Sequence, residues 1–125
     1  MCPPSFPQIA NADRRTSFYF NRAFKKQAKG DHAGAIDDYT KAIESDPKES
    51  VSYYNRGISK HNLEDYLGAI DDYTKAIELD PKDSGTYYNR GIPKDSLKDY
   101  SGAINDYTKA IELNPKEALA YYNRG

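Results

Sequence analysis

The sequence predicts an all-α protein, an α-solenoid of stacked antiparallel helix-turn-helix units, and two observations carry that prediction. The first is a period. Gly68-Ala-Ile-Asp-Asp-Tyr-Thr-Lys-Ala-Ile-Glu-Leu-Asp-Pro81 returns almost unchanged as Gly34 to Pro47 and as Gly102 to Pro115, placing Tyr39, Tyr73 and Tyr107 34 residues apart. The second is the pattern inside the stretch. Ala69, Ile70, Tyr73, Ala76 and Ile77 recur at helical spacing and gather on one face, while Asp71, Asp72, Lys75 and Glu78 fall largely on the other. One helix cannot bury so narrow a stripe by itself, so the units must stack.

Taken in order, residues 1–15 hold Pro3, Pro4 and Pro7 followed by Asn11, Asp13, Arg14 and Arg15, and read as a flexible leader. Repeat units then run over 16–49, 50–83 and 84–117, and residues 118–125 open a fourth. Each unit has a first helix, such as Ser52 to Leu63, then a polar junction around Glu64-Asp65, then the second helix described above. Pro47, Pro81 and Pro115 close the second helices, because proline lacks the amide hydrogen and pushes the preceding residue out of the helical region.

The first helix has two faces able to pack. Tyr53, Gly57 and Lys60 lie on one side, where Gly57 permits a close crossing with the second helix of its own unit; Val51, Tyr54, Ile58 and His61 lie on an adjacent side. That second side is left to line something else. Gly30 suits a left-handed turn between the two helices, but Glu64 and Lys98 take its place in the next units, which predicts a different turn there. Pro93 sits well inside a first helix, forfeits the bond to the Asn89 carbonyl at a cost of about 3 kcal/mol, and predicts a kink or an early end. Residues 118–125 alone make a marginal helix, so the chain reads as a fragment of a longer array or as an array whose open end another molecule covers.

Composition narrows the function classes. A formal net charge of −1 gives no field to attract nucleic acid or a membrane surface, and neither is an expected partner. Cys2 is the only cysteine, which excludes a disulfide framework and a thiol-based metal site within this sequence. No apolar run approaches a membrane span, and the first residues lack the basic and hydrophobic regions of a signal peptide, so a cytoplasmic location is expected.

No catalytic constellation, metal site or cofactor motif is found. His32 and His61 stand at a junction and in a first helix with no cysteine near them, and read as solvated. Asp37-Asp38 and Asp71-Asp72 are adjacent helix residues that point about 100° apart and do not converge on a substrate. Asp37 and Asp71 precede Lys41 and Lys75 by one helical turn and read as solvated ion pairs. Arg22, Arg56, Arg90 and Arg124 recur on the first helices and Asp38, Asp72 and Asp106 on the second, which predicts an ion pair within each unit, Arg56 with Asp72 for example.

These residues resemble the tetratricopeptide repeat (TPR) family. The resemblance rests on the period, the aromatics Tyr19, Tyr53, Tyr87 and Tyr121, the small residues Ala23, Gly57, Gly91 and Gly125, and the alanines Ala35, Ala69 and Ala103. Tyr39, Tyr73 and Tyr107, then Ala42, Ala76 and Ala110, and the closing prolines complete it over residues 16–125. The resemblance implies a right-handed superhelix whose first helices line a concave groove, used mostly as a non-enzymatic scaffold for binding other proteins.

On that reading Phe20, Tyr54, Tyr88 and Tyr122 face the groove, with Asn21, Asn55, Asn89 and Asn123 beside them and Phe24, Ile58 and Ile92 one turn further on. A row of amides offers donors and acceptors to the backbone of an extended peptide, similar to the asparagine ladder of the TPR superhelix in O-linked N-acetylglucosamine transferases. The alternative for these asparagines is bonding to neighbouring repeats. Co-chaperone TPRs hold chaperone tails with a carboxylate clamp of two lysines, two asparagines and an arginine. Its places here hold Phe20, Phe24, Asn55, Gly85 and Asn89, so that only Asn55 matches and chaperone-tail binding is not expected. The expected function is therefore a scaffold binding a protein or peptide segment in the groove. The alternative is a structural module that forms homo-oligomers through uncapped terminal helices.

Overall fold

The computed structural model describes residues 5–116, with side chains from residue 14 onward. Six helices follow one another among the described residues: α1 (Ser5–Ala28), α2 (His32–Ser45), α3 (Ser50–Asn62), α4 (Tyr66–Leu79), α5 (Ser84–Ser96) and α6 (Tyr100–Leu113). Pairs α1/α2, α3/α4 and α5/α6 pack closely, and α3 and α5 each pack on the second helix of the unit before. The architecture is an all-α solenoid of helical repeats. Tyr121, Tyr122, Asn123, Arg124 and Gly125, and the expected start of a fourth unit, lie outside the described residues, as does Cys2.

Small residues set the spacing. Ala23, Ala35, Ala42, Ala69, Ala76, Ala103 and Ala110 are buried, and between them Tyr39 and Tyr73 supply the bulk of the core. A Cβ at Gly57 would stand 2.8 Å from the Tyr73 ring, and one at Gly91 would stand 2.6 Å from Tyr107. The close crossing expected at Gly57 is therefore present, because the tyrosine of the second helix occupies the space a side chain would need.

Each second helix begins on an aspartate. Asp31, Asp65 and Asp99 accept from the amides of Gly34, Gly68 and Gly102, the standard satisfaction of an orphan donor at a helix start. The cap carboxylate lies over the glycine so closely that a Cβ there would collide with it.

The turns correct one expectation. Glu64 (φ 65°) and Lys98 (φ 67°) adopt the same left-handed conformation as Gly30 (φ 85°), rather than a different turn. The reason lies in the bonds that the conformation closes. The Asp65 amide donates to the Lys60 carbonyl at 2.8 Å and the Glu64 amide to His61 at 2.9 Å, matching Asp31 to Lys26 and Gly30 to Gln27. These C-terminal caps, with the aspartate cap that follows, offset the roughly 1–2 kcal/mol that a left-handed side-chain residue costs.

Two further expectations change. α5 does not end early at Pro93: it runs to Ser96, the same 13-residue length as α3. Pro93 is fully buried and the Leu97 amide still donates to its carbonyl, so packing holds the helix where one bond is missing. The stretch expected as a leader is helical from Ser5 onward. Pro7 falls in the first turn, where amides have no intrahelical partner and the missing hydrogen costs nothing.

Candidate functional site

The frame of each repeat is fixed by a charged cluster. Arg22, Arg56 and Arg90 reach Asp38, Asp72 and Asp106 bidentately at 2.7–2.9 Å, the ion pair that the sequence predicts. Lys26, Lys60 and Lys94 add a second cation to the same carboxylates at 3.0–3.1 Å. The cations hold the buried Asp38 carboxyl down at about 2, first through the Arg22 hydrogen bonds. Arg56 and Arg90 also donate to Thr40 and Thr74 of the preceding second helix, so the cluster ties neighbouring units together. These arginines are consumed in the scaffold.

The solvated pairs expected between Asp37 and Lys41 and between Asp71 and Lys75 are not among the ion pairs of the described residues. Lys75 instead meets Glu78 at 3.7 Å, and the Lys41 ammonium sits 5.6 Å from the Tyr19 ring. Exposed pairs of this kind gain too little to fix one partner.

The first helices place the expected groove residues unequally. Phe20 is half-buried, stacked on Phe24 and edge-on to Tyr39, whereas Phe24 is 53% exposed and Asn21 is exposed. Asn55 is buried and its Nδ2 donates to the Val51 carbonyl of its own helix. Asn89 donates across the repeat boundary to Tyr54 Oη at 2.7 Å. The amide donors of Asn55 and Asn89 are thus engaged within the protein. Tyr88 is half-buried against Tyr107, with ring centroids 5.6 Å apart.

Three of the expected residues do meet. Ile58, Asn89 and Ile92 line an open pocket of about 190 Å³ between α3 and α5, together with His61, Asn62 and Tyr73. Tyr54 and Asn55 fall instead in a neighbouring depression of about 310 Å³ with Ser50, Val51, Ala76, Asp80, Asp83 and Thr86.

Neither histidine is simply solvated. His61 is half-buried, its ring 5.3 Å from Tyr66, and burial lowers its pKa so that the ring is neutral near pH 7. His32 is also half-buried, with Nδ1 3.2 Å from Ser59 Oγ. Sequence reasoning placed His61 on the same face as Ile58 but read it as solvated, and it missed Tyr73, which it assigned to the scaffold, and Asn62. The signal that finds them is the 34-residue correspondence: Gln27 and Ser59 become His61 and Pro93 one unit later. No group of His, Cys, Asp and Glu able to hold a metal occurs among the described residues. No helix among them is long and apolar enough to cross a membrane.

Comparison with known proteins follows the repeat boundaries. Family profiles described as tetratricopeptide repeat match residues 16–49 and 50–83, and one described as TPR repeat matches residues 96–125. No curated protein matches the chain. Among solved structures, the first TPR of Spaghetti (RPAP3) bound to an HSP90 peptide is similar at 26% identity and a TM-score of 0.82, over 89% of this chain and 90% of that one. An Arabidopsis OM64 TPR domain aligns at 25% identity and a TM-score of 0.84, over 90% of this chain and 95% of that one. The MamA protein aligns at 30% identity and a TM-score of 0.81, over 89% of this chain and 61% of that one.

Proposed function

The chain belongs to the tetratricopeptide repeat family, and from that premise we propose that it is a non-enzymatic scaffold holding a segment of a partner protein along its first helices. The observation that carries this reading is the pocket where Ile58, Asn89 and Ile92 meet. It is an opening where the apolar Ile58 and Ile92 meet the polar Asn62, Asn89, His61 and Tyr73, with no Lys, Arg, Asp or Glu in its lining. The peptide held by the similar RPAP3 domain supports a protein segment as the class of ligand.

That peptide, SRMEEVD, is acidic, whereas the five places of the clamp for such a tail hold Phe20, Phe24, Asn55, Gly85 and Asn89 here, none of them a cation. A neutral segment fits this surface better, because an unpaired carboxylate would lose its hydration without gaining a charge partner.

Selection from a random displayed-peptide library tests the reading. Selected peptides are expected to lose at least about tenfold in affinity for a folded Ile58→Asp/Ile92→Asp variant, while Glu78→Gln on a second helix leaves binding unchanged. Peptides that bind both variants as they bind the parent would place the site elsewhere.

A second reading, self-association, is favoured by one observation. Ile104 and Ile111 on α6 are 61% and 52% exposed, although Ile43, the counterpart of Ile111 on α2, is 9% exposed beneath the next repeat. Sedimentation of a single species at monomer mass across a wide concentration range would remove it.

A further inference from the structure

The two junctions between repeats are built from matching positions, and only the first is sealed. There the Gln27 carboxamide fills the space between α1 and α3. Its Nε2 donates to the Asn55 carbonyl and to Ser59 Oγ, each at 2.9 Å, and its Oε1 accepts from Tyr39 Oη at 2.9 Å. Thirty-four residues later the same places hold His61, Asn89, Pro93 and Tyr73. Nothing there reproduces the seal. The His61 ring lies against Tyr66, and Pro93 offers no hydroxyl. Pro93 also lacks the amide hydrogen that would bond to the Asn89 carbonyl along the helix.

What is left is the 190 Å³ pocket lined by Ile58, His61, Asn62, Tyr73, Asn89 and Ile92. Tyr73 is only 2% exposed, and no hydrogen bond reaches its hydroxyl among the described residues, whereas the Tyr39 hydroxyl is bonded. The Tyr73 ring is buried, but its hydroxyl opens on the cavity, where it can donate to whatever enters. The volume is below the roughly 300–1,000 Å³ of a small-molecule site and suits one side chain of a larger ligand.

We propose that this pocket binds a primary carboxamide, the side chain of a glutamine or asparagine in the partner segment, in the pose Gln27 holds one repeat earlier. The ligand's amide nitrogen donates to the Asn89 carbonyl and its amide oxygen accepts from Tyr73 Oη, while Ile58 and Ile92 cover its methylenes. The inference rests on the groove reading for the source of the carboxamide, and it names the side chain the groove selects. Glutamate fails because it sets an oxygen against the Asn89 carbonyl, and leucine fails because it leaves both polar groups unpaired.

Propionamide, the glutamine side-chain analogue, tests the pocket without any peptide. Titrated into the ¹⁵N-labelled protein, it is expected to shift resonances of Ile58, Tyr73, Asn89 and Ile92, with propionate about tenfold weaker or more. In a His61→Gln/Pro93→Ser variant, which restores the residues of the first junction, the response is expected to vanish; Tyr73→Phe keeps the shape and weakens it. Equal responses to propionamide and propionate, no localised response, or a response undiminished in the restored variant would overturn the proposal. The library-selected peptides separate this inference from the groove reading. Peptides that bind without a required glutamine or asparagine leave the groove reading standing and sink this one. A specific propionamide response with no peptide selected upholds the pocket and removes the groove reading.

Discussion

The first and second junctions of this array share a frame and differ in what fills it. On both, a tyrosine of the second helix packs against a small residue of the first, and an arginine and a lysine converge on a buried aspartate. The difference lies mainly on the first helices, with Tyr66 at the start of α4 taking the place of His32, which reaches Ser59. Gln27 and Ser59 close one junction with three hydrogen bonds, while His61 and Pro93 leave the other open over Tyr73. Near-identical second helices therefore conserve geometry, and two substitutions on first helices turn a core contact into a pocket.

The largest way to break the shared frame is to remove its carboxylate. Asp72→Ala strands Arg56 and Lys60, whose side chains are only 17% and 21% exposed, and is expected to cost about 3 kcal/mol in urea unfolding. Asp38→Ala should cost less, because Arg22 is 42% exposed and water can solvate it. Equal losses would show that burial of the arginine does not set the penalty.

The next test targets the seal. Tyr39→Phe leaves the Gln27 carbonyl oxygen without its donor and should destabilise by about 1 kcal/mol. Tyr73→Phe removes a hydroxyl that bonds nothing in the described residues, and its stability should stay within about 0.5 kcal/mol of the parent. A comparable loss at both positions would mean that the second junction is satisfied after all.

Acid and alkali sharpen the same contrast. Asp38 has its folded-state pKa depressed to about 2, so its contribution is present above the ordinary carboxylate range and is lost as pH falls from near 4 toward 2. Tyr39 has its pKa raised by burial to about 12, so its stabilisation holds below pH 10 and declines as pH rises from 10 toward 12. The alkaline decline should persist in Asp38→Asn, while the part of the acid decline due to this residue disappears. Thermal denaturation across pH checks both.

The smallest expected effect lies in the turns. Glu64→Gly relieves a left-handed side-chain residue but adds freedom to the unfolded chain, for a net gain of about 0.5 kcal/mol. A loss would show that the Glu64 side chain itself supports the turn.

Most of the fold is legible in the sequence because it depends on periodicity and on short-range rules. The 34-residue recurrence, the helical spacing of Ala69, Tyr73 and Ala76, and the closing prolines determine six helices and their pairing. The Arg56–Asp72 pair is equally legible, since a recurring guanidinium on an otherwise apolar face needs a carboxylate within reach. Tertiary structure alone decides three things. It holds Glu64 and Lys98 in a conformation that local propensity disfavours, because the cap bonds outweigh the strain. It carries α5 through Pro93, because buried packing offsets one lost bond. And it makes one of two matching tyrosines a pocket wall, because pairing of the hydroxyl depends on which side chain of the facing first helix reaches it: Gln27 reaches Tyr39, whereas His61 lies against Tyr66.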